Sequence, residues 1–187
     1  MIVRTFDIRD VALVIPDRFG DARGHFSETW SDRRFREQVA DVGFVQDNQS
    51  LSRRKGTVRG LHFQRPPAGQ GKLVRVLEGA ILDVAVDVRA GSPTYGRHVA
   101  ARLDAAEGAQ LWVPEGFLHG FCTLEDDTVV AYKVTRYYSA EHDAGVAFDD
   151  PDIAIDWPVT PAEAILSDKD RNLPRLADLP APFAWTA

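Results

Sequence analysis

Short apolar runs, each ended by glycine or proline, are the feature that most constrains how this chain can fold. The runs that predict strands are residues 11–15, 57–64, 73–77, 81–88, 110–113 and 128–138. Turn signals such as Pro66-Pro67 and Gly91-Ser92-Pro93 lie between them. Many short strands at this spacing are typical of a sandwich, jelly roll or barrel. The sequence therefore predicts an all-β fold, with one clear helix over residues 31–39 that Ser31 can cap.

Size and charge narrow the class of protein. With 187 residues, 44% of them hydrophobic and 27% charged, the chain reads as an ordinary soluble globular protein. Its formal net charge of -6 does not favour non-specific binding to nucleic acid or to an anionic membrane. A single cysteine, Cys122, excludes an intrachain disulfide. The N-terminus resembles no secretory signal and no apolar run spans a bilayer, so we expect a cytoplasmic protein.

Strand alternation places polar groups where a pure core would be apolar. In residues 81–88 the even positions are all apolar, and we expect that face to be core, while Asp83 and Asp87 share the other face. Gln46, Asn48 and Ser50 also share a face. Polar groups on an inward face are unusual for core but are needed by a barrel that holds a ligand.

Basic residues are concentrated in residues 51–77, where there is no acid. They are Arg53, Arg54, Lys55, Arg59, Arg65, Lys72 and Arg75. A positive region in an acidic protein suits a compact anion such as a diphosphate. The alternative is a solvated strand face on which arginine stems cover apolar surface.

Two histidines are candidates for chemistry. In Arg59-Gly60-Leu61-His62, strict alternation would place Arg59 and His62 on opposite faces, but Gly60 could host a bulge that re-aims one of them. His119 follows a Pro/Gly turn and precedes Gly120, where backbone can come close to a ligand. Either histidine could instead be a hydrogen-bonded structural residue.

Metal binding is disfavoured by the spacing of the histidines. The chain contains no His-x-His pair, so the supply of ligands for a stable metal site is poor. We expect no metal.

Two tyrosines are candidates for a proton donor and a stacking platform. On a continuous strand, Tyr132 and Tyr138 would face the same way and could serve opposite ends of a long ligand. The alternative is that both are core or interface residues.

Taken in order, the motifs of this chain resemble the dTDP-4-dehydrorhamnose 3,5-epimerase family. They include Asp21-Ala22-Arg23-Gly24-His25-Phe26-Ser27-Glu28, Gln46-Asp47-Asn48-Gln49-Ser50, Arg59-Gly60-Leu61-His62-Phe63-Gln64, Gln70-Gly71-Lys72-Leu73-Val74-Arg75-Val76, Val113-Pro114-Glu115-Gly116-Phe117-Leu118-His119-Gly120-Phe121, Tyr132-Lys133, Tyr137-Tyr138 and Leu166-Ser167-Asp168-Lys169-Asp170. Each is weak alone, but the ordered set covers nearly the whole chain and is highly specific.

The resemblance implies a fold and a reaction. It implies a cupin-like jelly roll with a few short helices and an irregular C-terminal segment, one domain over residues 1–187, a homodimer, and no metal or other cofactor. The implied reaction inverts C3 and C5 of dTDP-4-dehydro-6-deoxy-D-glucose to give dTDP-4-dehydro-L-rhamnose, for dTDP-L-rhamnose biosynthesis. The alternatives are an epimerase acting at C3 only or C5 only, a non-catalytic sugar-nucleotide-binding barrel, and a metal-dependent cupin oxygenase.

The resemblance also implies residue roles. By motif match, His62 is the catalytic base, Tyr132 the acid, Asp170 the carboxylate paired with the base, and Lys72 the lysine near the C4 oxygen. The matched substrate-binding positions are Arg23, Phe26, Glu28, Gln46, Asn48, Arg59, His119, Tyr138, Asp143 and Lys169. Among these, Tyr138 matches the residue that stacks on thymine, and Asp143 stands where the family usually has Glu.

Overall fold

A computed structural model describes residues 1–185, which form mostly strands and two short α-helices. The last two residues of the expected domain, 186 and 187, lie outside the described part of the chain. The strands are β1 (Ile2–Thr5), β2 (Ala12–Ile15), β3 (Phe19–Asp21), β4 (Gly24–Phe26), β5 (Gln46–Ser52), β6 (Val58–Gln64), β7 (Lys72–Glu78), β8 (Ala80–Asp87), β9 (Arg89–Ala90), β10 (His98–Asp104), β11 (Gln110–Val113), β12 (Phe117–Thr123), β13 (Thr128–Val134), β14 (Asp143–Gly145) and β15 (Phe183–Ala184). The helices are α1 (Asp32–Gln38) and α2 (Asp168–Arg171).

Two antiparallel sheets make the body of the molecule. One has six strands in the order β1-β2-β11-β7-β13-β5, and the other has five in the order β10-β8-β12-β6-β14. A separate ribbon pairs β3 with β4, and β15 runs parallel to β9. This is the cupin-like jelly roll that the sequence predicts, and the all-β prediction is confirmed. Among the described residues, no helix has the length and apolar character needed to cross a bilayer.

The main core fills the space between the two sheets. The six-stranded sheet contributes Val74, Leu111 and Val130, and the five-stranded sheet contributes Ile81 and Phe121. Removal of this apolar surface from water is the principal source of stability in such a sandwich.

Strand β8 is buried on both faces, which refines the prediction for residues 81–88. Val84 and Val86 lie on the predicted core face, and the C-terminal segment, including Ile153, covers that face. The opposite face contributes Ile81 to the core between the sheets. Asp83 shares that inner face, so its carboxylate points into the sandwich.

Helix α1 covers the outer face of the six-stranded sheet. Phe35, which is 1% exposed, packs with its ring centroid 5.3 Å from that of Trp112 and 5.1 Å from that of Trp30. Ser31 is the N-cap residue in extended conformation, as expected, but its side chain makes no capping hydrogen bond.

The strand predicted over residues 128–138 ends earlier, at Val134. Both partner strands end beside it, because Val134 pairs with Gln46 at the start of β5 and with Lys72 at the start of β7. Beyond Val134 neither neighbouring strand offers residues for further pairing. Tyr138 therefore lies on a loop and not on the face of β13.

A close approach of two glycines shapes the join between β6 and β12. The register shifts where Arg59 pairs with Phe121 and His62 with His119, so β6 carries the bulge that the sequence suggested at Gly60. A Cβ on Gly60 would lie 2.5 Å from the Cα of Gly120, a contact that real side chains do not make. Only glycine fits there, and the bulge turns both Arg59 and His62 towards one cavity.

We expect Gly120→Ala to destabilise the protein by about 1–3 kcal/mol, the range typical of overpacking. The new Cβ would lie 2.9 Å from the carbonyl oxygen of Arg59, and backbone cannot easily move there. Gly43→Ala is the matched control, because its Cβ would meet only the end of the Arg36 side chain. Chemical denaturation of both variants measures the effect, and equal stabilities would contradict it.

Candidate active site

A cavity of about 400 Å³ opens between the sheets, with walls from both of them and from the C-terminal segment. A hollow of about 340 Å³ adjoins it and shares four lining residues with it, namely His62, Lys72, Tyr132 and Lys169. Because the two spaces share these walls, one elongated ligand can occupy both. A concave space with a few convergent polar groups is the usual form of a ligand site.

His62 on β6 is paired with Asp170 on α2. A hydrogen bond of 2.6 Å joins His62 Nε2 to Asp170 Oδ1. Burial alone would raise the pKa of Asp170, but the hydrogen bond from His62, with further bonds from Ser167 and the backbone of Gly60, holds the pKa below its usual value. The ionised carboxylate accepts the Nε2 proton, which leaves Nδ1 of His62 with a free lone pair.

Local hydrogen bonds hold Asp170 beside the His62 imidazole. Backbone bonds from Val58 to Ile165 and from Ile165 to Gly56 place the C-terminal segment along the start of β6. Ser167 then caps the short helix α2 by accepting a bond of 3.1 Å from the backbone N–H of Asp170. The cap fixes the carboxylate, which is only 5% exposed, beside β6.

His119 forms a second, deeper pair with Asp83. Its Nε2 lies 2.7 Å from Asp83 Oδ1, and both side chains are buried. Burial lowers the pKa of His119, although the charge of Asp83 and its hydrogen bond act in the opposite direction. His119 is therefore a neutral ring at the inner wall of the cavity. His119 follows the Pro/Gly turn, as the sequence indicated, and lies within β12, a strand buried at all seven positions.

Lys72 is a buried cation beside both histidines. It is the first residue of β7 and is 9% exposed. Burial lowers its pKa to about 8, and the charges of Asp83 and Asp143 act against that shift. The ammonium thus keeps its proton at neutral pH but holds it only weakly.

Tyr132 faces His62 from the opposite sheet. Tyr132 lies on β13 of the six-stranded sheet, His62 lies on β6 of the five-stranded sheet, and both side chains line the same cavity. Burial raises the pKa of the Tyr132 phenol, and Asp143 adds to the rise while Arg59 opposes it. The phenol is protonated at neutral pH and can donate a proton.

Polar side chains at the mouth are joined to one another. Gln46 donates a bond of 2.8 Å to Asn48 Oδ1 and accepts one of 3.2 Å from the backbone N–H of Tyr138. The Tyr138 hydroxyl donates to Asp143 Oδ2 at 3.2 Å, and Lys169 pairs with the same carboxylate. Asp143, where the family usually has Glu, thus reaches the other mouth residues despite its shorter side chain.

Three predicted ligand-contacting residues lie elsewhere. Arg23 and Phe26 belong to the β3–β4 ribbon, and their side chains stand largely in solvent. Glu28 follows the ribbon and pairs with Arg34 at 3.1 Å. In the single chain, these positions are separate from the residues that line the cavity and the hollow.

The basic stretch divides between the site and the surface. Arg59 and Lys72 line the cavity, whereas Arg75 lies on the outer face of the six-stranded sheet and Arg53 pairs with Asp127 in solvent. Of the basic residues in this stretch, two, Arg59 and Lys72, therefore belong to the site. Among the described residues, no three His, Cys, Asp or Glu side chains are grouped to hold a metal ion.

No role in the site was predicted from the sequence for one residue, Asp83. Asp83 is fully buried and bonded to His119, yet its sequence signal is only a charged residue inside an apolar strand. Such a residue on an inward face indicates a partner or a ligand, because an unpaired buried carboxylate is costly.

The fold and the cavity define a jelly-roll protein with an acid–base site between its sheets. A family model described as dTDP-4-dehydrorhamnose 3,5-epimerase matches residues 5–178, and the chain belongs to that family. A dTDP-4-dehydrorhamnose 3,5-epimerase of Sinorhizobium fredii is 57% identical over 99% of this chain and 94% of its own length.

Solved structures agree with the family assignment. The epimerase of Bacillus anthracis, with TDP and PPi bound, has a TM-score of 0.90 at 49% identity, covering 93% of this chain and 98% of its own. The Legionella pneumophila dTDP-6-deoxy-D-glucose-3,5-epimerase, in complex with dTDP-4-keto-L-rhamnose, has a TM-score of 0.95 at 40% identity, covering 100% and 99%.

Proposed function

We propose that this protein inverts C3 and C5 of dTDP-4-dehydro-6-deoxy-D-glucose and forms dTDP-4-dehydro-L-rhamnose in dTDP-L-rhamnose biosynthesis. The observation that carries the proposal is the placement of His62 and Tyr132 on facing sheets of one cavity. Inversion needs a base on one face of the sugar ring and an acid on the other, and this arrangement provides both.

The ketone at C4 makes the chemistry accessible. The hydrogens on C3 and C5 are acidic because both carbons flank that carbonyl. His62 Nδ1 takes the proton, the C–H electron pair forms a C=C bond to C4, and the carbonyl pair moves to O4. The enolate then collapses, and the carbon takes a proton from the Tyr132 hydroxyl on the opposite face. Both side chains exchange protons with solvent before the second inversion. The proposed reaction uses no cofactor.

Lys72 and Asp170 support this proton transfer. The Lys72 ammonium stabilises the negative charge on O4, and stabilisation of this kind often contributes more to catalysis than any other effect. Asp170 holds the His62 tautomer and stabilises the imidazolium that forms.

The remaining lining residues suit the nucleotide part of the substrate. Arg59 and Lys169 provide positive charge for the diphosphate. We assign stacking on thymine to Tyr138, whose exposed ring offers a flat face. We assign hydrogen bonds with the nucleotide to Gln46 and Asn48, which line the adjoining hollow.

We further propose a cytoplasmic homodimer of one epimerase domain, in which the ribbon of one copy completes the site of the other. Phe19 and Phe26 pair across the β3–β4 ribbon and are 63% and 70% exposed, an apolar surface that a second copy would cover. Arg23 and Glu28 would reach a ligand in the same way. The single buried Cys122 is compatible with a reducing cytoplasm. Sedimentation of Phe26→Asp beside the unchanged protein tests the dimer, and identical masses would contradict this role of the ribbon.

The decisive experiment is incubation with dTDP-4-dehydro-6-deoxy-D-glucose in D2O without added metal. We expect deuterium at both C3 and C5 and a product of the L-rhamno configuration by NMR. Deuterium and inversion at one carbon only would support the single-site epimerase. Tight binding without exchange would support the non-catalytic barrel.

The pKa of Lys72 leads us to expect a particular dependence of activity on pH. The group must carry its proton to stabilise O4, and its pKa is lowered by burial to about 8. The ammonium is present below that pH and lost above it, so kcat/KM should decline as pH rises through about 8. Lys72→Arg is the comparison, because a guanidinium stays charged and should move the decline to higher pH. An unchanged alkaline limb in that variant would contradict the assignment.

A further inference from the structure

Behind His119, which lines the cavity, lies a buried carboxylate with one oxygen that has no hydrogen-bond partner. Asp83 is 0% exposed, and its Oδ1 accepts a bond of 2.7 Å from His119. Within residues 1–185, Asp83 Oδ2 and Ser50 Oγ are the buried side-chain oxygens that lack a hydrogen-bond partner. A buried carboxylate oxygen without a donor is costly, so its position needs an explanation.

Lys72 is the buried cation whose charge acts on this carboxylate, and it lines the same cavity as His119, the partner of Asp83. The titratable and charged groups around Lys72 come from all the neighbouring elements: His62 and Arg59 on β6, Asp83 on β8, His119 on β12, Tyr132 on β13, Asp143 on β14, and Lys169 and Asp170 on α2. Asp170 already pairs with His62, and Asp143 already pairs with Lys169. Among the described residues of this set, Asp83 is the fully buried carboxylate that has an oxygen without a partner.

We propose that Asp83 is a positioning residue of the proposed epimerase, which anchors the His119 ring through one oxygen and keeps the Lys72 ammonium charged through the other. The inference rests on the proposed function for its meaning in catalysis, but the charge coupling itself exists without substrate. Asp83 and Lys72 lie on adjacent strands of the chain that belong to different sheets, so the coupling spans the inner end of the cavity.

The same carboxylate fixes the proton on His119. The Asp83 carboxylate accepts from Nε2–H, so Nδ1 of His119 is left as an acceptor towards the cavity wall. A neutral ring in this tautomer can receive a sugar hydroxyl. His119 thus contacts substrate, whereas Asp83 acts through His119 and Lys72.

The direction of the charge effect agrees with this geometry. Burial lowers the pKa of Lys72, and Asp83 is the largest influence that raises it. Loss of the Asp83 charge should therefore lower the pKa of Lys72 further, so that the ammonium loses its proton close to neutral pH.

NMR titration of the ¹³C-labelled lysine Cε signals tests the coupling in the intact protein without substrate. The chain has four lysines, Lys55, Lys72, Lys133 and Lys169, and Lys72→Met assigns the relevant signal. In Asp83→Asn we expect the Lys72 midpoint to fall by about one pH unit or more, as for loss of a nearby opposite charge. An unmoved Lys72 midpoint would overturn the proposal.

Two further variants separate charge from structure. Asp83→Ser, whose hydroxyl can still accept from His119, should lower the Lys72 midpoint in the same way and serves if Asp83→Asn folds poorly. His119→Gln removes the ring but keeps the Asp83 charge, so its Lys72 midpoint should stay high. A fall in His119→Gln equal to that in Asp83→Asn would show that the effect is structural and would overturn the charge coupling.

The pH profile of kcat/KM links the coupling to catalysis. In Asp83→Asn the alkaline limb should move to lower pH by the same amount as the Lys72 midpoint. A purely structural role would lower kcat/KM by one factor at every pH and would overturn the positioning role. If the NMR shift occurs in a protein that does not epimerise the sugar, the proposed function fails while the coupling of Asp83 and Lys72 stands.

Discussion

His62→Ala should abolish deuterium uptake from D2O at both C3 and C5 of the keto sugar. Two imidazoles backed by carboxylates line the cavity, and His62, paired with Asp170, is the more open of them, with its side chain 27% exposed against 7% for His119. General acid–base catalysis typically contributes about 10²–10⁴-fold, so we expect each exchange rate to fall by about 10³-fold. Because one base serves both carbons in the proposed reaction, the two rates should fall together.

His98→Ala provides the control for this result. His98 lies on β10, at the edge of the five-stranded sheet, and its replacement should leave both exchange rates unchanged. Normal uptake in His62→Ala, in a protein that melts like the parent, would remove His62 as the base. Loss of deuterium uptake at only one carbon would mean that a second base serves the carbon that still exchanges.

Tyr132→Phe should keep some exchange while net inversion at C5 is lost. The phenylalanine ring retains the packing of Tyr132 against the core between the sheets, so the fold should be preserved. His62 can still remove a proton and return a solvent-derived one to the same face. Without the phenol there is no donor from β13 on the opposite face, and the carbon keeps its original configuration.

Tyr137→Phe is the matched control for Tyr132→Phe. Tyr137 is 70% exposed, so loss of its hydroxyl should change neither exchange nor inversion. NMR of the recovered sugar separates deuterium content from configuration at each carbon. Full inversion at C5 by Tyr132→Phe would exclude Tyr132 as the acid.

These two predictions depend on a contact between parts of the chain that are far apart in sequence. His62 and Asp170 are separated by 108 positions, and the bond between them depends on the C-terminal segment lying along β6. The motif resemblance suggested the pair, but residue spacing alone contained no sign of it. The pair of His119 and Asp83 was not suggested at all, because no motif joined the two positions.

Local signals determined the elements of this fold. Alternating apolar residues and Gly/Pro turns were enough to predict β2, β6, β7, β8 and β11 to within one or two residues, because a strand depends on its own pattern. The predicted end of β13 was wrong because a strand ends where its partner strands end, and those partners lie elsewhere in the sequence.

The sequence by itself thus determined the all-β class, the bulge at Gly60 and, by resemblance, the family and the candidate residues. Only the tertiary structure decided that His62 and Tyr132 face each other from different sheets and that Asp83 is paired with His119. It also placed Arg23 and Phe26 on an exposed ribbon away from the cavity of their own chain. The physical reason is that strand patterns are local, whereas a cavity is made by packing sheets whose strands are distant in sequence.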